Sequence, residues 1–226
     1  MNKNFWPFSP KLDLPTNRYK NMLQKQLFDT STPYKLPLKE ADVVYFPTLF
    51  TKEKSDLLLE QLQHNIKWEQ KKIKIFGKEL DQPRLTAFYG DSALPYTYSN
   101  LTWYALPWTP LLAEIKKEVE HFCDTHFTSV LLNLYRAGGD SMGWHSDDEP
   151  ELGENPIIAS VSFGAARKFS FRHRKEKQRK FDLELTHGSL LLMKGATQAN
   201  WQHQLPKTKK VEAPRVNLTF RIIQNI

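Results

Sequence analysis

The sequence predicts an α+β protein with a mainly β core, in which flanking helices precede a C-terminal half folded as a sandwich or jelly-roll barrel. Three observations predict it. From residue 130 onward, short strand-like runs recur at 131–135, 157–163, 168–172, 181–185, 189–193, 201–205 and 215–223. Turn signals separate them at Gly138, Gly139, Gly153, Gly164, His187 with Gly188, and Gly195. The clear helical patterns all lie earlier, so strands and helices do not alternate as a parallel βαβ sheet would require.

Taken in order, residues 1–40 carry Pro7, Pro10, Pro15, Pro33 and Pro37, with one short helical pattern over 17–28. This segment reads as an N-terminal extension draped on the body, and residues 41–226 read as a single domain. Thr51 is placed to cap a helix in which Leu58, Leu62 and Ile66 recur near helical spacing. The run from Ile73 to Lys78 alternates and then breaks at glycine, Gly77, and reads as a hairpin tip. A second helix starts at Thr109 as N-cap with Pro110 in its first turn. Leu111, Leu112, Ile115, Val119 and Phe122 form its apolar side. No internal repeat or low-complexity tract interrupts the chain.

Bulk composition narrows the class. At 226 residues, 40% hydrophobic and 12% aromatic, the chain can build a core and is not disordered. Its single cysteine, Cys123, excludes an internal disulfide and fits a reducing compartment. No signal peptide or membrane span is read, so the expectation is a soluble protein, cytoplasmic in a bacterium and nuclear in a eukaryote. A net charge of +7 favours a polyanionic partner. The charge is concentrated in three groups: Lys67 to Lys78, Arg167 to Lys180, and Lys207, Lys209 and Lys210. Three solvated loops would account for them, and so would a surface that tracks phosphates.

The last strand carries the chemistry. Successive strand side chains point to opposite faces, so Val216, Leu218, Phe220 and Ile222 share one face and Arg215, Asn217, Thr219 and Arg221 the other. Two guanidinium groups aimed into one space call for an anion, and their fixed forks suit carboxylates. On the run 131–135, Asn133 and Tyr135 share a face and are able to donate to the same anion. His145 and Asp147, two apart, reach one face of an extended segment, and His203 follows on a later strand. Two histidines and one aspartate are the facial ligand set that leaves positions open on non-haem iron(II). Singly, His145 and Asp147 fit a surface turn, His203 a satisfied core histidine, and Tyr135 an ordinary core aromatic. As one set beside a cationic face, they point to oxygenation driven by iron(II), 2-oxoglutarate and O2.

The ordered series Asn133-x-Tyr135, His145-x-Asp147, His203 and Arg215-x-Asn217-x-x-x-Arg221 resembles the AlkB family of iron(II)/2-oxoglutarate nucleic-acid dealkylases. The resemblance runs from about residue 70 to the end, includes 96–100, 159–165, 167–173 and 187–192, and is nearest to the animal members that repair double-stranded DNA. It implies a double-stranded β-helix (jelly roll) over about 130–226, preceded by a nucleotide-recognition lid over about 67–105. It implies His145, Asp147 and His203 as iron ligands, and Asn133, Tyr135, Arg215, Asn217 and Arg221 as the 2-oxoglutarate cradle. Within that cradle Arg215 is expected at the distal carboxylate and Arg221 nearer the metal.

The resemblance further implies an oxidative DNA demethylase acting as a monomer on alkylated DNA, duplex preferred over single strand. Lesions such as 1-methyladenine or 3-methylcytosine would lose their alkyl group as formaldehyde, with succinate as co-product. Substrate contacts are expected from Arg84, Tyr96, Tyr98, Ser99, Asp148, Glu149, Lys209 and Lys210. Phe76 has two readings, a wedge that fills the gap left by an extruded base or a core residue. The loop between Arg172 and Phe181 is shorter than in the duplex-repair members, which puts its grip on a second strand in question. The alternatives are the same chemistry on RNA or protein, and a non-catalytic nucleic-acid-binding module. A purely structural metal would favour four ligands, and only three are read here.

Overall fold

Two antiparallel sheets enclose the interior in a computed structural model that describes residues 32–75, 78–91, 95–98 and 101–224. The larger has seven strands in the order β1 (Tyr34–Lys35), β2 (Asp42–Phe46), β13 (Ser189–Lys194), β10 (Ile158–Gly164), β15 (Arg215–Arg221), β8 (Ser129–Tyr135) and β5 (Leu85–Gly90). The smaller has four, in the order β12 (Lys180–Leu185), β11 (Arg167–His173), β14 (Trp201–Leu205) and β9 (Met142–His145). Two hairpins stand apart, β3 (Lys72–Ile75) with β4 (Lys78–Asp81), and β6 (Pro95–Tyr98) with β7 (Leu101–Tyr104). Crossed antiparallel order in two facing sheets is the jelly-roll arrangement that the C-terminal pattern predicts.

The seven runs read from residue 130 onward are all strands, within two residues of their expected ends. Strands β1, β2 and β5, from the first half of the chain, were not expected, yet all three extend the larger sheet. Tyr34 and Lys35 belong to the stretch read as an N-terminal extension, and they pair with Tyr45 and Val44. The pattern over 17–28 lies outside the described residues.

Helices α1 (Lys52–Asn65) and α2 (Pro110–Cys123) begin where the capping residues place them. Thr51 Oγ1 accepts from Lys54 N, and Thr109 Oγ1 from Leu112 N. Leu58 and Leu62 of α1, with Leu112, Ile115 and Val119 of α2, are buried in the same core as the outward face of the large sheet. Phe122 departs from the reading: it is 48% exposed, and its ring meets Phe46 edge-on at the margin of that core.

Alternation along each central strand divides the large sheet. Val216, Leu218 and Phe220 of β15 pack into the helix-side core with Val130, Leu132 and Leu134 of β8 and Ala159, Val161 and Phe163 of β10. The opposite residues, Arg215, Asn217, Thr219 and Arg221 with Leu131, Asn133, Tyr135 and Ser160, face the space between the sheets. All seven residues of β15 are buried, so its polar face lies inside the protein rather than in solvent. Gly164 ends β10 with φ near +89°, and a Cβ there would come within 2.4 Å of the Pro214 carbonyl oxygen. Glycine therefore permits the tight approach that brings Arg215 opposite it.

Candidate active site between the two sheets

One cavity is lined by all eight residues that the sequence assigns to metal and cosubstrate: Asn133, Tyr135, His145, Asp147, His203, Arg215, Asn217 and Arg221. His203 on β14 pairs directly with His145 on β9, the next pair in the ladder being Leu205 with Met142. The step between the pairs is two residues on β14 and three on β9, so β9 carries a bulge. The extra residue turns both Met142 and His145 inward. Asp147 follows just beyond the end of β9. One ligand atom from each of His145, Asp147 and His203 lies within 4.8 Å of the others.

Each group is held in a ligating form. His145 Nδ1 lies 2.8 Å from the Gly143 carbonyl oxygen, so Nδ1–H donates there and the lone pair is left on Nε2. His203 stacks on Phe169 at 5.2 Å between ring centres and meets Phe171 edge-on. Burial, reinforced by the neighbouring His145, pushes the His203 imidazole down to about 3, and burial also lowers His145. Both rings are thus neutral at pH 7. Burial acts to raise Asp147, but the charges of Arg221, His203 and His145 outweigh it and hold the carboxyl at about 2. Arg221 Nη2 donates to Asp147 Oδ1 at 3.0 Å in a fully buried pair.

Arg215 lies six residues before Arg221, about 20 Å along the strand, so the trio of His145, Asp147 and His203, tied to Arg221 through Asp147, marks the Arg221 end of the cavity. Its Nη2 donates to Ser162 Oγ at 2.9 Å, and its guanidinium lies 5.3 Å from the centre of the Tyr135 ring. Burial pushes Arg215 down to about 10. Its Nε is buried without a hydrogen-bond acceptor among the described residues. A buried cation with a spare donor and no carboxylate against it is a receptor for a bound anion. Asn217 is committed otherwise: its Nδ2 donates to Ser160 Oγ and the Val161 carbonyl, both at 2.8 Å, and its Oδ1 accepts from Thr219. Here it shapes the wall of the cradle and has no free donor to offer.

The residues assigned to substrate are distributed differently. Arg84 is buried behind the cavity, where its Nε donates to Asn133 Oδ1 at 2.8 Å. Asp148 is on the surface, paired with Arg174 at 2.5 Å, and Glu149 precedes a 3-10 turn, Pro150–Leu152. Lys209 and Lys210 are exposed on a loop tied to the body by Thr208 N to the Gly138 carbonyl and by Gly138 N to the Val211 carbonyl. Tyr96 and Tyr98 lie on β6, whereas Phe76 and Ser99 lie outside the described residues. Arg167 leaves the basic surface group: it is 2% exposed and donates to the carbonyls of Ala137, Gly138, Asp140 and Pro206. Thr219, read on the arginine face, lines the cavity, and so does Ser160, which was not singled out from sequence. The same two-residue alternation that exposed the arginine face would have found Ser160.

A family model described as the 2OG-Fe(II) oxygenase superfamily matches residues 42–221. Alpha-ketoglutarate-dependent dioxygenase alkB homolog 3 of Homo sapiens is 44% identical over 196 residues, spanning 83% of this chain and 68% of its own. DNA oxidative demethylase ALKBH2 of Mus musculus is 42% identical over 188 residues, 79% of each chain. The chain belongs to the AlkB family of iron(II)/2-oxoglutarate oxygenases. The solved structure of OsALKBH1 shares the fold, with a TM-score of 0.58 at 15% identity over 84% of this chain and 100% of that one. As an AlkB-family dioxygenase, the protein uses iron(II), 2-oxoglutarate and O2. The site fits them: His145 and His203 as neutral imidazoles and Asp147 as a carboxylate, a set that could hold a metal ion, stand at one end of the cavity, and a buried guanidinium with a donor unused among the described residues stands toward the other. Among the described residues no helix is long and apolar enough to cross a membrane.

Proposed function

We propose that this AlkB-family oxygenase repairs DNA by removing N-alkyl groups from its bases, with 1-methyladenine and 3-methylcytosine as substrates and duplex DNA preferred. The observation that carries the reading is the joining of the His145, Asp147 and His203 trio to the Arg215 and Arg221 face in one cavity. Relatives named DNA oxidative demethylase ALKBH2 and alkB homolog 3, at 42–44% identity, support the substrate class. In this reading His145, Asp147 and His203 hold iron(II), and Asn133, Tyr135, Arg215 and Arg221 hold the carboxylates of 2-oxoglutarate against the wall that Asn217 shapes. When bound, iron(II) with 2-oxoglutarate and O2 supplies the oxidation of the N-methyl carbon, one oxygen atom going to that carbon and one to succinate as carbon dioxide leaves. The hydroxymethyl product then breaks its C–N bond, the electron pair stays on the ring nitrogen, and formaldehyde and a proton depart.

The chain's own residues position and shield. Arg221 keeps Asp147 ionised and fixed. Leu131, Met142, Phe169, Met193 and Leu205 give the cavity an apolar lining that excludes water from the reacting carbon. The cationic lesion is drawn by the acidic pair Asp148 and Glu149 and stacked by the β6–β7 hairpin that carries Tyr96 and Tyr98. Phe76, which joins the paired strands β3 and β4, is the wedge in this reading. Arg84 acts behind Asn133, and Lys209 and Lys210 meet phosphates. Mass spectrometry of oligonucleotides bearing 3-methylcytosine, as duplex DNA, single-stranded DNA and RNA, tests this reading. Loss of 14 Da fastest from the duplex is expected; RNA as the preferred substrate would overturn the assignment to DNA.

A further inference from the structure

Gln198 is buried to 1% exposure in α3 (Thr197–Asn200), the single turn that leads into β14. Its Oε1 accepts the backbone N–H of Asp147 at 3.0 Å, across 51 residues of sequence. Among the described residues its Nε2 reaches only the Met193 sulfur, at 3.5 Å, and a thioether is a weak acceptor. A primary amide is expensive to bury for so little on its donor side, so its value lies in the bond to Asp147. That bond falls where the sheet stops helping. Strand β9 ends at His145, and a second tie joins the 146–147 turn to this segment, Ser146 Oγ on the Trp201 carbonyl at 3.2 Å. Both anchors lie on the stretch that runs into His203.

We propose that Gln198 is a positioning residue for the metal centre, setting the Asp147 carboxylate against His203, which follows five residues later on the same segment. The inference rests on reading His145, Asp147 and His203 as the ligands. The far side of α3 is also braced: the Gln198 carbonyl accepts from Arg174 Nη1 at 3.2 Å, and the same nitrogen bonds Asp148. The turn bearing Asp147 and Asp148 is thus clamped to α3 from the inside and from the surface. Partners that orient a metal ligand typically contribute about 10–100-fold to metal affinity.

The test uses Mn(II) alone, titrated into the metal-free full chain and followed by the EPR signal of the free ion. Gln198→Met keeps the length of the side chain and removes the acceptor, and it should weaken Mn(II) about 10–100-fold. Thr197→Val is the control for mere destabilisation. Thr197 is equally buried and bonds Asp42 N and the Lys194 carbonyl, so its loss should lower the melting temperature and leave Mn(II) affinity unchanged. Wild-type affinity in Gln198→Met, or an equal loss in Thr197→Val, overturns the proposal. Should Gln198→Met not fold, hydrogen exchange of the wild-type metal-free protein decides: a protected Asp147 amide supports the anchor, and free exchange removes it. A His203→Ala variant that binds Mn(II) as wild type does would overturn the ligand reading itself, separately from Gln198.

Discussion

Replacing Arg215 by methionine should weaken the cosubstrate and, against ordinary expectation for a buried residue, stabilise the empty protein. The guanidinium is 2% exposed, has no carboxylate against it among the described residues, and is pushed by burial from 12.5 down to about 10. At 1.36 kcal/mol per pKa unit, the folded state bears about 3 kcal/mol of penalty for the charge. That shift already includes the favourable interaction with Tyr135, and the bond to Ser162 returns about 1 kcal/mol. An apolar side chain of similar length should therefore gain about 2 kcal/mol, worth about 4–8 °C in melting temperature for a chain of this size. Binding moves the other way. A desolvated carboxylate that loses its charged partner costs roughly 2–5 kcal/mol, or about 30- to 4,000-fold in Kd. Calorimetric melting of the ligand-free protein and titration of 2-oxoglutarate with Mn(II) present, without O2, measure the two effects. An unchanged Kd would remove Arg215 from the cradle. A lower melting temperature would refute the account of an uncompensated charge.

Three further outcomes follow from particular residues. His203 titrates near 3 in the folded metal-free protein against 6.5 unfolded, so its contribution is complete above 6.5 and is lost as pH falls toward 3. Between pH 7 and 5 that amounts to about 2 kcal/mol in urea denaturation, and His203→Leu should flatten the slope. Neutralising Lys209 and Lys210 should weaken all DNA alike and lower the salt slope by roughly 0.9 for each phosphate no longer neutralised; an unchanged slope in binding at several salt concentrations places them elsewhere. Phe76→Ala should reduce repair of duplex while sparing single strands, with the melting temperature nearly unchanged. If Phe76 is a core residue instead, the change costs about 3–5 kcal/mol and both substrates suffer together.

Legibility from sequence followed locality. In β15 the polar–apolar alternation is strict, and in β8 only Leu131 breaks it, so the pattern separated the polar face from the core face residue by residue. The helix caps at Thr51 and Thr109 were equally local, and both hold. Strands β2 and β5 were missed because they are fixed by pairing with distant strands, β13 and β8, and β5 (LTAFYG) carries no polar–apolar alternation in its own sequence. The bulge that turns Met142 and His145 inward together depends on the offset between β9 and β14. Charge counting erred at Arg167, whose four carbonyl partners come from two other loops. Gln198 carries no signal in its own neighbourhood, since the bond that explains it reaches back across 51 residues of sequence.

The most direct test of the central claim is product stoichiometry. Purified protein is supplied with iron(II), 2-oxoglutarate and O2, with and without duplex DNA bearing 1-methyladenine, and formaldehyde and succinate are quantified together. If the cavity oxidises the N-methyl carbon, the two products rise in equal amounts with the methylated duplex and formaldehyde is absent with unmethylated DNA. His145→Ala should yield neither. Succinate formed at full rate with no formaldehyde from methylated DNA would contradict that claim, because the cavity would then oxidise something other than the N-methyl carbon.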